Sequence, residues 1–133
     1  MPEKETLERA QRDAREGKSP STQAGEFVRE EIEHIREGKH GARSTKQAIA
    51  IGLSKARRAG VNLPPPKAGQ ASPHTREQAK RDVRRGHSTT SAAPSRERSL
   101  ASSRALKKEG HSAASHQALA AQAKGAARKR RAR

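Results

Sequence analysis

Apolar residues recur at the three- and four-residue spacing of a helix along the first half of the chain. The pattern predicts a helix over residues 2–16, with Gly17 in the left-handed position that commonly ends a helix. It predicts a second helix that starts near Ser19-Pro20 or at Ser21 and continues to Gly38. A third is predicted over residues 44–60 and opens with the capping box Ser44–Gln47. The stripe of the second helix consists of Ala24, Phe27 or Val28, Ile32 or Glu31, and Ile35.

A run of prolines separates the two halves of the chain. Asn62-Leu63-Pro64-Pro65-Pro66 stops a helix and favours an extended spacer. Beyond it, Ser72-Pro73 is typical of a helix start, and the helix that it begins is predicted to reach about Arg85. Large apolar residues then become scarce and comprise Val83, Leu100, Leu106 and Leu119.

The two halves are related by an internal repeat. Residues 6–19 and 75–88 share the pattern Thr-x-Glu-x-Ala-x-Arg-Asp-x-Arg-x-Gly-basic-Ser. Two further blocks recur in the same order, one around Gly38 and Gly110 and one around Gln47 and Gln117. This order indicates a tandem duplication of a unit made of helices joined by Gly-basic junctions, and two copies are too few for a solenoid.

Composition limits how much of the chain can form a core. Leu, Ile, Val and Phe together number 14 of 133 residues. This share is well under the roughly 20% below which highly charged chains tend to be disordered. We therefore expect a mostly α protein in two degenerate repeats, with a small N-terminal helical hairpin and a C-terminal half that is disordered or helical only on binding. The predicted divisions are a helical module at 1–63, a linker at 64–73, a weakly ordered second repeat at 74–124 and a basic tail at 125–133.

Several function classes are disfavoured by what the chain lacks. With a single aromatic residue it cannot line a rigid catalytic pocket, so we predict no enzyme and no cofactor. There are no cysteines for disulfides or zinc, and no apolar run approaches the ~18 residues of a membrane span. The N-terminal residues lack the apolar segment of a signal peptide, so we expect a cytoplasmic protein with no membrane partner.

Charge is the strongest functional signal in the sequence. The chain carries +16, and nearly all of this excess lies after residue 66, where 17 basic residues face 4 acidic ones. Phosphate backbones bind such clusters without reading sequence, because each neutralised phosphate releases a counterion. The predicted main contacts are Arg128, Lys129, Arg130, Arg131 and Arg133, followed by Arg84, Arg85, Lys107 and Lys108, and then by Lys55, Arg57 and Arg58.

Two motifs suggest more specific phosphate or base contacts. Ala48-x-x-x-Gly52-Leu53-Ser54 has the small residue and turn glycine of a helix-turn-helix, and the alternative is one uninterrupted helix that tolerates Gly52. Gly17-Lys18-Ser19 resembles part of a phosphate loop, but such a loop needs another glycine at position 12, which is Arg12. We interpret it as a helix end followed by a helix cap.

The second helix differs from the rest because it is acidic. Its carboxylates should point away from nucleic acid, and we expect them to face the basic helix at residues 46–58, in the same chain or in a second copy. Glu31-x-x-His34 has the spacing of carboxylate metal sites, but the sequence shows no second copy of it, so we predict a solvated helix face and no metal. Self-association or a protein partner would use the apolar residues Phe27, Val28, Ile32, Ile35, Ile49 and Leu53.

Residues 21–34 and 39–60 together resemble a bacterial family of small basic proteins that is classed as a domain of unknown function. The resemblance covers most of residues 2–66 and implies a bacterial origin but no particular chemistry. The C-terminal half is similar in composition to the Ala/Lys/Arg/Ser-rich tails of linker-histone-like nucleoid proteins.

The sequence leads to two hypotheses for function. The first is a nucleoid accessory protein that binds DNA or RNA phosphates through its basic C-terminal half without sequence preference. The second is a helical protein-interaction module whose basic tail keeps it in solution and has no direct role with nucleic acid.

Overall fold

A computed structural model describes residues 2–88 and 96–132, and the regular structure within these ranges is helical. One isolated bridge between Ala68 and Ala71 is the only β pairing that it contains there. The mostly α prediction is therefore confirmed. The helices are α1 (Lys4–Arg15), α2 (Pro20–Arg36), α3 (Thr45–Arg58), α4 (Pro73–His87), α5 (Arg96–Lys108), a 3-10 turn (Ser112–Ala114) and α6 (His116–Arg131).

Serine side chains begin the helices as the sequence predicted. Ser19 Oγ accepts the Thr22 N–H at 3.2 Å, Ser44 Oγ accepts the Gln47 N–H at 3.1 Å, and Ser72 Oγ accepts the Thr75 N–H at 3.2 Å. Each bond satisfies one of the amide groups left unpaired at a helix start. Gly17 has a φ of 75°, so the Gly-Lys-Ser run is a helix end followed by a helix cap.

The chain forms two compact units, and each draws on both halves of the sequence. The first unit comprises residues 2–30 and 51–88, and the second comprises residues 31–50 and 96–132. This partition differs from the division at residue 63 that the proline run suggested. Because α2 and α3 each contribute to both units, neither unit corresponds to one copy of the repeat.

The core of the first unit is small and rich in alanine. Phe27 is its only aromatic member and is 1% exposed, with Leu7, Leu53 and Leu63 packed around the edge. Helices α2 and α3 approach closely here, because a Cβ at Gly52 would lie 2.6 Å from the Cα of Val28. The buried members of this core are Ala10, Ala24, Phe27, Ala56 and Val61.

The second unit packs the 3-10 turn against the ends of α2 and α3. Thr45 Oγ1 donates to the carbonyl of Ala113 at 2.5 Å, and Arg36 Nε donates to the carbonyl of Ala114 at 3.0 Å. These bonds satisfy backbone acceptors that would otherwise lie unpaired beside the core. The buried members of this core are Ile35, Ala42, Ala48, Ala113 and Ala114.

The predicted disorder of the C-terminal half is not supported. Residues 73–87, 96–108 and 116–131 are helical, and residues on both sides of position 66 contribute buried side chains. The prediction counted only large apolar residues, whereas this part of the chain buries alanines, namely Ala79 on α4 and Ala113 and Ala114 in the 3-10 turn. Small side chains bury little area each, but they let backbones come close enough for direct hydrogen bonds.

Burial follows the internal repeat. Ala10 and Asp13 are buried on α1, and the equivalent Ala79 and Asp82 are buried on α4. All four lie in the first unit. The shared Ala-x-x-Asp spacing therefore places one small apolar and one acidic group on the inward face of each helix.

The helix-turn-helix interpretation of the Ala48–Ser54 motif is wrong, because α3 continues without a break from Thr45 to Arg58. Gly52 is there for close packing and not for a turn. Its missing side chain makes room for the backbone of Val28 on α2.

We predict that Gly52→Ala destabilises the protein by about 1–3 kcal/mol, because the new methyl group would collide with the α2 backbone. Gly25→Ala is the matched control, since Gly25 also lies inside a helix but a Cβ there meets nothing within 4 Å. That change should stabilise the helix by about 0.5–1 kcal/mol. Urea unfolding followed by circular dichroism measures both, and equal effects would contradict this packing.

Candidate nucleic-acid interface

The last turns of α6 present the densest basic cluster in the second unit. Arg128, Lys129, Arg130 and Arg131 all lie on the helix and are exposed. Positive side chains at a helix C-terminus are favoured by the partial negative charge of the last carbonyls. Arg133, which the sequence also predicted as a contact, lies outside the described residues.

The last turn of α5 carries a second basic pair in the same unit. Lys107 and Lys108 are exposed, while the backbone around them is held by two hydrogen bonds. The Gly41 N–H donates to the Leu106 carbonyl at 2.8 Å, and the Ala42 N–H donates to the Gly110 carbonyl at 3.0 Å. The two lysines therefore extend from an anchored helix end.

The first unit carries its own basic group at the ends of α3 and α4. Arg84 and Arg85 are exposed in the last turn of α4. A Cβ at Gly86 would collide with the carbonyl oxygen of Arg57, so the end of α4 lies directly against the end of α3. This contact brings Arg84 and Arg85 to the same end of the unit as Arg58.

Arg57 does not belong to an exposed basic group, which corrects its predicted role. It is 7% exposed, and its guanidinium donates to the carbonyls of Leu63 at 3.3 Å and Pro64 at 3.1 Å. Burial lowers the pKa of Arg57, and the negative charge of Asp82 opposes that shift. The side chain holds the proline segment in place and is not available to a phosphate.

Lys55 and Arg58 are only partly available to a phosphate. Arg58 Nε donates to the Ser54 carbonyl at 3.3 Å and lies 3.9 Å from a carboxylate oxygen of the buried Asp82. Lys55 is half-buried and engaged within the protein. These two residues remain at the surface, but part of their charge is used internally.

The acidic face predicted for α2 is only partly solvated, because Glu33 and Glu37 are exposed while two other carboxylates are not. Glu30 and Glu31 are buried at 2% and 0% exposure. Glu30 Oε1 accepts the Glu3 N–H at 2.6 Å, and Glu26 pairs with Arg9 of α1 at 3.0 Å. Glu30 and Glu26 thus contact residues of α1 and its N-terminal end, and Glu31 lies 3.2 Å from His40.

Lys18 shows the same internal use of charge at the junction of α1 and α2. Its Nζ lies 3.2 Å from Glu16 and 3.4 Å from Asp13. Hydrogen bonds to Glu16 and then to Asp13 raise the pKa of Lys18 above its usual value. The lysine in the Gly-Lys-Ser run therefore compensates the chain's own carboxylates.

The apolar residues that we had assigned to a protein partner are largely internal. Phe27 and Ile35 are at most 1% exposed, and Ile32 and Leu53 pack against the two cores. Val28 and Ile49 are half-buried. Among the described residues, the exposed large apolar side chain is Leu100, which is 45% exposed.

One protein-family model matches part of the chain. Residues 4–67, just under half of the chain, match the model of DUF6496, a family of unknown function. No curated protein and no solved structure matches the chain. Within the described ranges, no helix has the length and apolar character needed to cross a membrane.

We predict that Asp82→Ala destabilises the first unit by about 3 kcal/mol, because it leaves the buried Arg57 without its compensating charge. Glu77→Ala on the same helix is the control, since Glu77 forms only an exposed ion pair with Lys80. Its effect should stay within about 0.5 kcal/mol. Thermal unfolding checks both, and a small effect of the Asp82 change would mean that this charge is dispensable.

Proposed function

We propose that this protein binds nucleic acid, most favourably duplex DNA, through sequence-independent phosphate contacts and acts as a nucleoid-associated accessory protein without catalytic activity. The observation that carries the proposal is the exposure of basic side chains in the last turns of three helices. They are Arg84 and Arg85 on α4, Lys107 and Lys108 on α5, and Arg128, Lys129, Arg130 and Arg131 on α6.

The division of charge between interior and surface supports this proposal. The eight basic residues above form no ion pair with a carboxylate of the described residues, whereas Lys4, Lys18, Lys39 and Lys80 do. Several carboxylates, including Asp13, Glu30, Glu31 and Asp82, are buried. A phosphate that approaches these helix ends would therefore meet cations that are not already paired with the protein's own carboxylates.

The same features favour binding without sequence preference. The one aromatic side chain, Phe27, lies in a core and cannot stack on bases. The continuous α3 removes the recognition helix that base reading would have used. What remains is backbone recognition, in which Arg contributes bidentate geometry and Lys contributes point charge.

A protein-interaction module is the second candidate function. Leu100 on α5 is the apolar residue best placed for it. Four of the six apolar residues predicted to contact a partner, Phe27, Ile32, Ile35 and Leu53, belong to or pack against the cores. This candidate therefore has less apolar surface available.

Fluorescence anisotropy of labelled duplexes across a salt series tests the proposal. We expect the logarithm of the affinity to fall linearly with the logarithm of salt concentration, with a slope of about −6 to −10. Duplexes of unrelated sequence should give the same slope. Absent or only weak binding at low salt would overturn the proposal and leave the protein-partner function.

The contacts on α6 are tested by changing Arg128, Lys129, Arg130 and Arg131 together to Gln, which keeps helix propensity and removes four charges. The slope of the logarithm of affinity against the logarithm of salt concentration should become less negative by about 3 to 4. The matched control changes Lys4, Lys18, Lys39 and Lys80 to Gln, because these four already pair with carboxylates. If the control lowers the slope as much, net charge alone drives binding and the assigned residues are wrong.

A further inference from the structure

We propose that Glu31, His34 and His40 form a binding site for a zinc-class divalent metal ion. All three residues lie in the second unit. One ligand atom from each can be chosen so that the three atoms lie within 4.8 Å of one another. None of the three is among the basic residues assigned to nucleic acid.

The local fold brings the three side chains together. Glu31 and His34 stand three residues apart on α2 and therefore share one face of the helix. The chain then turns after Arg36, and His40 returns toward that face, so that its Nε2 lies 3.2 Å from Glu31 Oε2. The sequence showed only the Glu-x-x-His pair, and the third ligand becomes visible once the turn is placed.

His40 is oriented for coordination. Its Nδ1 lies 2.9 Å from the carbonyl oxygen of Gly41. A carbonyl can only accept, so Nδ1 carries the proton and Nε2 is the nitrogen directed at Glu31. Metal-binding histidines usually have this second contact, because it sets both the tautomer and the angle of the ring.

The distances suit a small divalent ion. Zinc takes nitrogen and carboxylate ligands at about 2.0–2.2 Å, so two ligands of a tetrahedral ion lie about 3.4 Å apart. The distance between Glu31 Oε2 and His40 Nε2, 3.2 Å, is close to this separation between two ligand atoms. The rings of His34 and His40 are close neighbours, with centroids 6.0 Å apart and planes at 86°.

The donor set indicates the class of metal. Two imidazoles and one carboxylate favour zinc and its first-row neighbours over magnesium or calcium, which prefer oxygen ligands. Three protein ligands leave a fourth position for water or for a group of a bound partner. Glu31 is 0% exposed, and a buried carboxylate is stabilised by a nearby positive charge, which an ion would supply.

An ion at this position would connect the last turn of α2 to the segment that leads into α3. The same segment holds the end of α5 through the Gly41 and Ala42 amide groups. Metal binding would therefore stabilise the second unit, since a ligand that binds only the folded state shifts the unfolding equilibrium.

The first test is isothermal titration of the full-length chain, without a histidine tag, with zinc chloride. We expect one equivalent of zinc to bind and the thermal unfolding midpoint to rise by several degrees in the presence of excess zinc. Cobalt(II) serves as a second probe, because a tetrahedral site gives it a characteristic visible absorption. Dissociation constants weaker than about 1 mM for both ions would overturn the proposal.

Variants then locate the ion. His40→Gln and His34→Gln should each weaken zinc binding by about tenfold or more and remove the zinc-dependent shift in unfolding. His116→Gln is the matched control, since it is an exposed histidine of the same unit outside the cluster. Circular dichroism before metal addition verifies the fold, and His34 is tested separately because it is only half-buried. Unchanged affinity in both cluster variants would place the ion elsewhere and refute the site.

Discussion

The contact between α2 and α3 is the constraint on which the rest of the structure depends. At Gly52 the helix backbones come so close that a Cβ would meet the Cα of Val28 at 2.6 Å. Further along the pair, Ile35 and Ala48 share the core of the second unit. Close approach replaces the large side chains that the composition lacks, because backbone atoms and alanines supply the van der Waals contacts. Both cores are built on this pair, since α2 and α3 contribute residues to each unit.

Buried charged side chains and exposed charged side chains have different roles in this protein. Arg57, Glu30 and Glu31 are buried and contact Pro64, the Glu3 amide and His40, respectively. Such groups specify how helix ends meet, because an unpaired buried charge is costly. Arg84 and Arg85 lie only two and three residues beyond Asp82 on α4, yet they are exposed. One helix thus holds a structural carboxylate on its inner face and candidate phosphate contacts in its last turn.

The proposed metal site follows the same logic in the second unit. Glu31 occupies the interior, His34 lies at its edge, and His40 approaches from the turn that follows α2. A carboxylate in that position requires a positive partner, which a protonated imidazole or a divalent ion can provide. The Nδ1 contact with Gly41 sets the orientation of His40 in either case. The chemistry is therefore local to one turn of the fold and does not depend on the basic residues of α5 and α6.

Local sequence was sufficient to determine the helix type, the caps at Ser19, Ser44 and Ser72, and the end at Gly17, because these depend on neighbouring residues alone. It also located the repeat and the basic clusters, which are properties of composition and spacing. Only the tertiary structure decided that Gly52 serves close packing, that Arg57 is internal, and that His40 joins Glu31. It decided as well that residues 73–87, 96–108 and 116–131 are helical, and that Ala79 and Asp82 of α4 are inward residues. These outcomes rest on contacts between residues distant in sequence or across a turn, and the helical period of a single segment does not specify which backbone or side chain it will meet.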